Sequence, residues 1–470
     1  MGRIGAILSG TEVRLLSRLA DANAAAALNA LHLATQKRIN SPSDDPSTFL
    51  ALSGLQSRLD LVRATMSNVT AASSMVTQAQ SAINEIKTQL DTIRTELLKD
   101  ENRGLTPSER AESQAVIDDA VAQIDILSDF VIDGRRLLDG SADFAVTGFN
   151  SSQLRDLHVY SVPYGSTPTI SGSVTQAATQ SVVVYAGDGG SPAHPTADAV
   201  ITITGKRGIA TVTITTSQTL ADLADAINDV SHKTGVTAEA AGNELTLTSV
   251  DYGTDAAISI SVAPGGTFNV TETQAATDAQ ATINGLAVTG DGNRFTRGET
   301  GFLYEIEFAP GFEGDFDTLS ISGDALTFAL SESLSHRSTV AIPGLASIQL
   351  GGISGRLDQI ASGGAYSGLD ANTSRALRIV DEALGQVEVV QGSVEGFSTA
   401  AITSSSDLLS ALQTELTDAV AQTDGYSQQE EEILLARNQQ LASNAIAGLA
   451  ILNQQRAEMV TLVQKIAGLI

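Results

Sequence analysis

Residues 55–97 read LQSRLDLVRATMSNVTAASSMVTQAQSAINEIKTQLDTIRTEL, and their pattern settles what kind of chain this is. Within them Leu55, Val62, Val69, Val76, Ile83, Leu90 and Leu97 recur every seven residues without a miss. An apolar residue at every seventh position keeps one stripe of an α-helix turned toward a neighbouring helix, which is the requirement of a coiled-coil seam. A companion column runs through Leu52, Leu59 and Met66, turns polar at Ser73 and Gln80, and passes to Ile86 and Ile93 one position earlier. No proline interrupts residues 47–101, and Asp45 before Pro46 supplies a capping side chain followed by a proline suited to a first helical position. The spacing predicts one helix of more than fifty residues. Full burial of seven such side chains contributes roughly 10–20 kcal/mol, at about 1.5–3 kcal/mol each and as an upper bound, so the helix must have partners.

On the C-terminal side, Thr106-Pro107-Ser108-Glu109 forms a capping-box sequence, and Val116, Ala120, Ile124 and Leu127 continue a return helix to about Phe130. The heptad pattern resumes after residue 370 with Val380, Val387, Val394, Ala401 and Leu408, and Leu384 and Leu412 mark the adjoining seam. A loop at Asp424-Gly425 precedes a last helix whose Leu434, Leu441, Ala445, Gly448, Leu452, Met459, Leu462, Ile466 and Leu469 follow three-four spacing. Residues 1–35 carry a matching stripe of Ile4, Ile7, Leu8, Leu15, Leu19, Ala22, Ala26 and Leu33. Two amphipathic arms at opposite ends of a chain call for each other or for a second copy.

Between the arms, from about 157 to 350, the period changes to two. Val200-Ile201-Thr202-Ile203-Thr204, Thr211-Val212-Thr213-Ile214 and Tyr304-Glu305-Ile306-Glu307-Phe308 read as strands, and Asn284-Gly285 reads as a type I′ hairpin turn. Thr219 to Val230 reads as one short helix and Glu244 to Ser249 as the strand after it. The predicted class is therefore α+β and multidomain: an antiparallel bundle of long N- and C-terminal helices with a β-rich central insert.

Composition narrows the function. At 470 residues the chain exceeds one ordinary core. Its formal charge is -27, with more than half the excess between residues 157 and 350, which argues against nucleic acid as a partner. There is no cysteine, hence neither a disulfide nor a thiolate metal site. Arg3, Glu12, Arg14, Arg18 and Asp21 break any secretory h-region, and no run of about eighteen apolar residues occurs, so neither a cleaved signal nor membrane insertion is expected. His32, His158, His194, His232 and His336 lack the four-residue spacing of a helical zinc site. Gly189-Gly190, Gly351-Gly352 and Gly363-Gly364 are not followed as a phosphate loop would be, and Ser404, Ser405 and Ser406 lack a nucleophile elbow. Asp44 and Asp45, flanked by Ser43 and Pro46, suit helix capping better than acid-base chemistry. No catalytic residue, cofactor or metal is expected.

Taken together these residues resemble a bacterial flagellin. Lys37-Arg38-Ile39-Asn40-Ser41-Pro42-Ser43-Asp44-Asp45 is similar to the segment that bends between the two innermost flagellin domains, with Asn40, Asp44 and Asp45 as its cap and bend residues. Phe130 to Gly140 is similar to the run that follows the family's second helix, with Ile132-Asp133 as a departure. Residues 198–262 and the stretch from Asp278 to Thr289 resemble the short β modules of flagellins and filament-cap proteins. The resemblance implies three parts: 1–45 with 425–470 as the inner filament core, 46–156 with 351–424 as a coiled-coil bundle, and 157–350 as an outward insert. It also implies a homopolymer in the extracellular filament, unfolded export through the flagellar type III apparatus, and an export chaperone, hook-associated proteins and a cap protein as partners. The packing columns named above, with Leu441, Leu452 and Ile466 in the last helix, would be the assembly residues. Pro46 directly after the paired aspartates is commoner in hook-filament junction proteins, the alternative reading, and the acidic insert leaves an adhesin as a third.

Overall fold

A computed structural model describes residues 2–103, 105–163, 166–299, 302–322, 325–331, 337–369 and 372–466, the side chains of 2–9, 101–103 and 466 excepted. The helices are α1 (Gly2–Thr35), α2 (Pro46–Arg103), α3 (Pro107–Ser128), α4 (Leu220–Asp229), α5 (Ser231–Thr234), α6 (Thr373–Phe397), α7 (Ser404–Asp424) and α8 (Gln428–Ile466). With the strands between them they make the α+β multidomain chain that the two periodicities predict. The chain divides into two compact units, residues 1–67 with 406–470 and residues 68–405.

In the first unit α1 and α8 run antiparallel: Asn29 bonds Glu431 near one end and Glu12 meets Arg456 toward the other. Ala22, Ala442 and Ala445 are buried between them, and a Cβ placed on Gly448 would stand 3.2 Å from Leu15 Cδ1. Small side chains let the two axes approach closely, and Leu15, Leu19 and Leu452 are only half-buried.

In the second unit the long helices pack as a coiled coil. Asn84 meets Gln391, Lys87 meets Glu388 and Arg94 meets Asp381, so the residue number on α6 falls as that on α2 rises. α3 turns back along α2, with Arg110 on Asp100 and Ser113 on Glu96. Its start is the capping box read from sequence: Thr106 Oγ1 accepts from the Glu109 amide and the Glu109 carboxylate accepts from the Thr106 amide. Its buried stripe is Ile117, Ala120, Val121 and Ile124, and Val116 faces outward.

The companion column of α2 differs from its sequence reading. Leu52 and Leu59 are buried, but the column then continues through Thr65, Ala72 and Ala79 to Ile86, Ile93 and Asp100 instead of through Met66, Ser73 and Gln80. A search for large apolar residues overlooks alanine. A real helix turns in 3.6 residues rather than 3.5, so a seam that keeps one column must drift on its other side.

The middle of the chain holds two cores, one nested in the other. Its strands include β1 (Val131–Ile132), β2 (Arg135–Arg136), β3 (Ala145–Thr147), β4 (Leu154–Ser161), β5 (Thr169–Gln176), β6 (Val182–Ala186), β7 (Ala199–Gly205), β8 (Gly208–Ile214), β9 (Val236–Ala241), β10 (Glu244–Ser249), β11 (Ser259–Val262), β12 (Val270–Gln274), β13 (Gln280–Ile283), β14 (Leu286–Thr289), β15 (Arg294–Glu299), β16 (Phe302–Phe308) and β17 (Gly314–Ser322). An outer sandwich sets the sheet β14-β13-β5-β17-β3 against β15-β16-β4. Phe302, Tyr304, Ile306 and Phe308 point inward from alternate positions of β16 onto Ile170, Ile283 and Leu319. The hairpin β13–β14 turns at Asn284 (φ 50) and Gly285 (φ 79), the two left-handed residues a type I′ turn requires.

Between β5 and β13 the chain leaves the sandwich and builds an inner module from the sheets β12-β6-β10-β9 and β11-β7-β8, closed by α4. Ile201, Ile203, Leu220, Leu223, Ile227, Leu245 and Leu247 form its separate core. The exit and return strands lie side by side: the Thr179 amide donates to Thr277 O and the Thr277 amide to Thr179 Oγ1, both at 2.9 Å.

Candidate assembly surfaces

The terminal helix pair has a polar cluster near one end of its seam. Glu431, in the first turn of α8, accepts from Asn29 Nδ2 on α1 through one carboxylate oxygen and lies 2.9 Å from His32 Nδ1 through the other. Asn438, two turns along, donates to Asn29 Oδ1 at 2.8 Å. Asn29, His32 and Glu431 are all buried. This cluster lies outside the packing columns read from sequence, although its spacing is readable there. Counting sevens forward from Leu15 and Ala22 lands on Asn29, and counting back from Leu452 and Ala445 lands on Asn438 and Glu431.

Away from that seam the two helices carry large apolar side chains on open faces. Val13, Leu28 and Leu31 on α1, and Ile433, Leu441, Ile446, Ile451, Val460 and Leu462 on α8, are exposed. Leu441, read from sequence as a packing residue, is among them. Leu452 is half-buried, and the side chain of Ile466 lies outside the described residues.

Between α1 and α2 the chain turns through a network of carboxylate caps. Gln36, at φ 53, ends α1 in the left-handed region. The Asp424 carboxylate accepts the amides of Arg38 and Ile39 at 2.9 and 3.0 Å, and Arg38 Nε donates to Asp424 O at 2.7 Å. Asp44 accepts the amides of Asn40 and Ser41, both at 2.8 Å, and those bonds hold its carboxyl below the usual range. Asp45 accepts from the Thr48 hydroxyl at 2.6 Å and from the amides of Ser47 and Thr48 at 3.1 Å, which depresses its own carboxyl further. Pro46 is the first residue of α2, where its missing N–H leaves no bond unmade. Both aspartates are thus occupied with backbone and hydroxyl donors.

Along α2 the sequence-derived column is buried at Val62, Val69, Val76, Ile83, Leu90 and Leu97, with Leu55 half-buried at its start. On α6, Val380, Val387 and Val394 are buried, and Ala376, Ala383 and Val390 form the adjoining column while Leu384 is half-buried. The count of sevens then slips. A π-helical turn over Ser398–Thr403 holds one residue more than an α-turn, so Ile402, Leu409 and Leu416 are buried and Leu408 is 69% exposed.

The middle region contains a charged cleft of about 440 Å³ walled by the outer sandwich, the inner module and α6. Its side chains meet one another: Arg155 pairs with Glu307, Arg294 with Glu305 and Glu307, and Lys206 with Asp291. Among the described residues no group of three or more His, Asp or Glu side chains could hold a metal ion, and no helix is long and apolar enough to cross a membrane.

Residues 11–143 match the model of the bacterial flagellin N-terminal helical region, and residues 200–251, inside the inner module, match the flagellin hook IN motif. A search of curated proteins finds no match. Among solved structures, the D1-D2-D3 domains of the flagellar cap protein FliD from Escherichia coli are 21% identical over 52% of this chain, with a TM-score of 0.28. That match spans 63% of the cap-protein chain, under two thirds of it. The flagellar junction protein FlgL from Legionella pneumophila is 11% identical over 81% of this chain and 100% of its own, also with a TM-score of 0.28. FlgL from Xanthomonas campestris is 10% identical over 78% of this chain and 98% of its own, again at 0.28. The chain thus carries two flagellin-type segments, one in the N-terminal arm and one in the insert, which together mark a flagellar structural protein.

Proposed function

We propose that the protein is a non-enzymatic subunit that polymerises through its N- and C-terminal helices into the extracellular flagellar filament. The observation that carries this reading is the open apolar face of the terminal pair, from Val13 to Leu31 on α1 and from Ile433 to Leu462 on α8. So much exposed aliphatic surface on two paired helices is stabilised when further copies cover it. In this reading residues 1–45 with 425–470 line the filament's inner core, 46–156 with 351–424 form the surrounding coiled-coil bundle, and 157–350 project outward. Export as an unfolded chain, a dedicated chaperone, and contact with hook-associated and cap proteins belong to the same proposal.

Val69 and Val76 are poor probes of it, because they face the chain's own core and their substitution by Asp would unfold the bundle. Ile446 and Val460 are 56% exposed and serve better. Purified protein, seeded and imaged by negative-stain electron microscopy, is expected to form long uniform filaments, and the Ile446→Asp/Val460→Asp variant to remain a folded monomer. Filaments from that variant would overturn the reading. Pro46 after the paired aspartates supports a hook-filament junction role as the alternative. In that case the purified protein stays monomeric and attaches to preformed hook or filament ends.

A further inference from the structure

The inner module meets the rest of its unit through Tyr252, which packs against the sandwich core, and through polar contacts in which two adjacent cations take part. β7 and β8 are joined by the turn Gly205-Lys206-Arg207-Gly208. Gly205 lies so close to α5 that a Cβ there would collide with Thr234 O, and Gly208 takes φ 145, so the turn is pressed onto the module beneath it and its two side chains are thrown outward. Lys206 Nζ lies 3.6 Å from Asp291 on the outer sandwich. Arg207 lies between Asp251, at 3.3 Å in its own module, and Glu382 of α6, at 2.9 Å. Glu382 is held ready for it by the Ser354 amide and hydroxyl, at 3.0 and 2.8 Å.

We propose that the Lys206-Arg207 turn is a latch that closes the inner module over the charged cleft, and that releasing it lets the module turn about the neck at Thr179 and Thr277. Three observations support a closing device over a plain structural contact. The module's apolar core is complete without any residue of α6 or of the sandwich. Polar contacts tie it to α6: besides the Arg207 pair, Ser231 Oγ meets the Arg378 guanidinium and Ser374 Oγ donates to Asp229 O. Its covalent link is one pair of strands, tied to the sandwich by Asp278, which accepts from Thr254 and from the Gly292 amide. A body with its own core and a narrow neck moves as a unit when the polar bonds that dock it are removed. The two arms of the latch differ in kind. Arg207 and Glu382 are largely withdrawn from water, whereas Lys206 and Asp291 are open to it and screened by salt.

The absence of cysteine allows a direct test with pairs of spin labels on the full chain. Labels at Thr271→Cys on the module and Glu395→Cys on α6 are expected to give one narrow distance distribution in the parent. Lys206→Gln/Arg207→Gln should add a longer population amounting to a third or more of the molecules. A second pair within the module, Glu239→Cys and Thr271→Cys, should keep its distance in both backgrounds. An unchanged module-to-α6 distribution in the double variant would overturn the latch, as would a parent distribution that is already broad. Broadening of the pair within the module would also overturn it, because Arg207 would then be supporting the module's own fold.

Discussion

Asp143, in the loop before β3, shows how one residue ties stability to pH. Burial pushes its carboxyl up to about 6 from the ordinary 3.8, with Asp156 adding repulsion, while the Phe144 amide and His158 pull the other way. Below pH 3.8 the group is protonated both folded and unfolded, and the folded state bears no penalty. As pH rises from there to about 6 the unfolded chain gives up the proton that the folded chain retains, so stability falls through that window. A rise of that size corresponds to at most about 3 kcal/mol. Asp143→Asn is therefore expected to stabilise the protein by about 1–3 kcal/mol at pH 7 and to bring no gain below about pH 4. Urea titrations of both proteins at several pH values check this, and an equal gain at every pH would contradict it. The depressed carboxyls of Asp44 and Asp45 have the opposite sign: the caps they form are present at neutral pH and are lost only in strong acid.

Among the helices, the small column of α2 sets how closely the coiled coil packs. Ala72 and Ala79 are almost wholly buried where a conventional seam would carry leucine. Ala79→Leu should cost about 1–3 kcal/mol through overpacking, whereas the same change at the exposed Ala71, on the same helix, should cost almost nothing. Thermal melts followed by circular dichroism separate the two, and equal melting temperatures would mean that the seam has room to spare. The same reasoning explains the terminal pair, where Ala22, Ala442, Ala445 and Gly448 bring the helices close and the polar group of Asn29, His32, Glu431 and Asn438 sits at the seam. Alanine faces alone are compatible with several alignments. A buried carboxylate that needs two specific donors is not.

For the molecule as a whole, the nested insert predicts where the chain can be cut. Removing residues 170–340 takes away most of the outer sandwich and leaves Leu154 and Val159 of β4 without cover. Removing residues 180–276 and joining Thr179 to Thr277 by a short glycine linker follows the existing neck. The shortened chain is expected to keep the sandwich and to melt within about 5 °C of the parent. Loss of the cooperative transition would show that the sandwich depends on its guest.

Elements with a local signal were legible before folding was considered. Seven-residue recurrence placed α2 and α6, the box at Thr106 marked a helix start, and Asn284-Gly285 located a hairpin, because each depends on neighbours within a turn or two of the chain. The alanine column was written in the same residues but carried no hydrophobic contrast to reveal it. The one-residue slip at Ser398–Thr403 moved Leu409 into Leu408's place without any proline to announce it. Everything that joins distant residues emerged only from the folded chain. His32 and Glu431 are 399 residues apart, Thr179 and Thr277 are 98, and Arg207 and Glu382 are 175. A polar side chain is specified by a partner at such a distance only once the chain has folded, and until then it reads as an ordinary solvated residue.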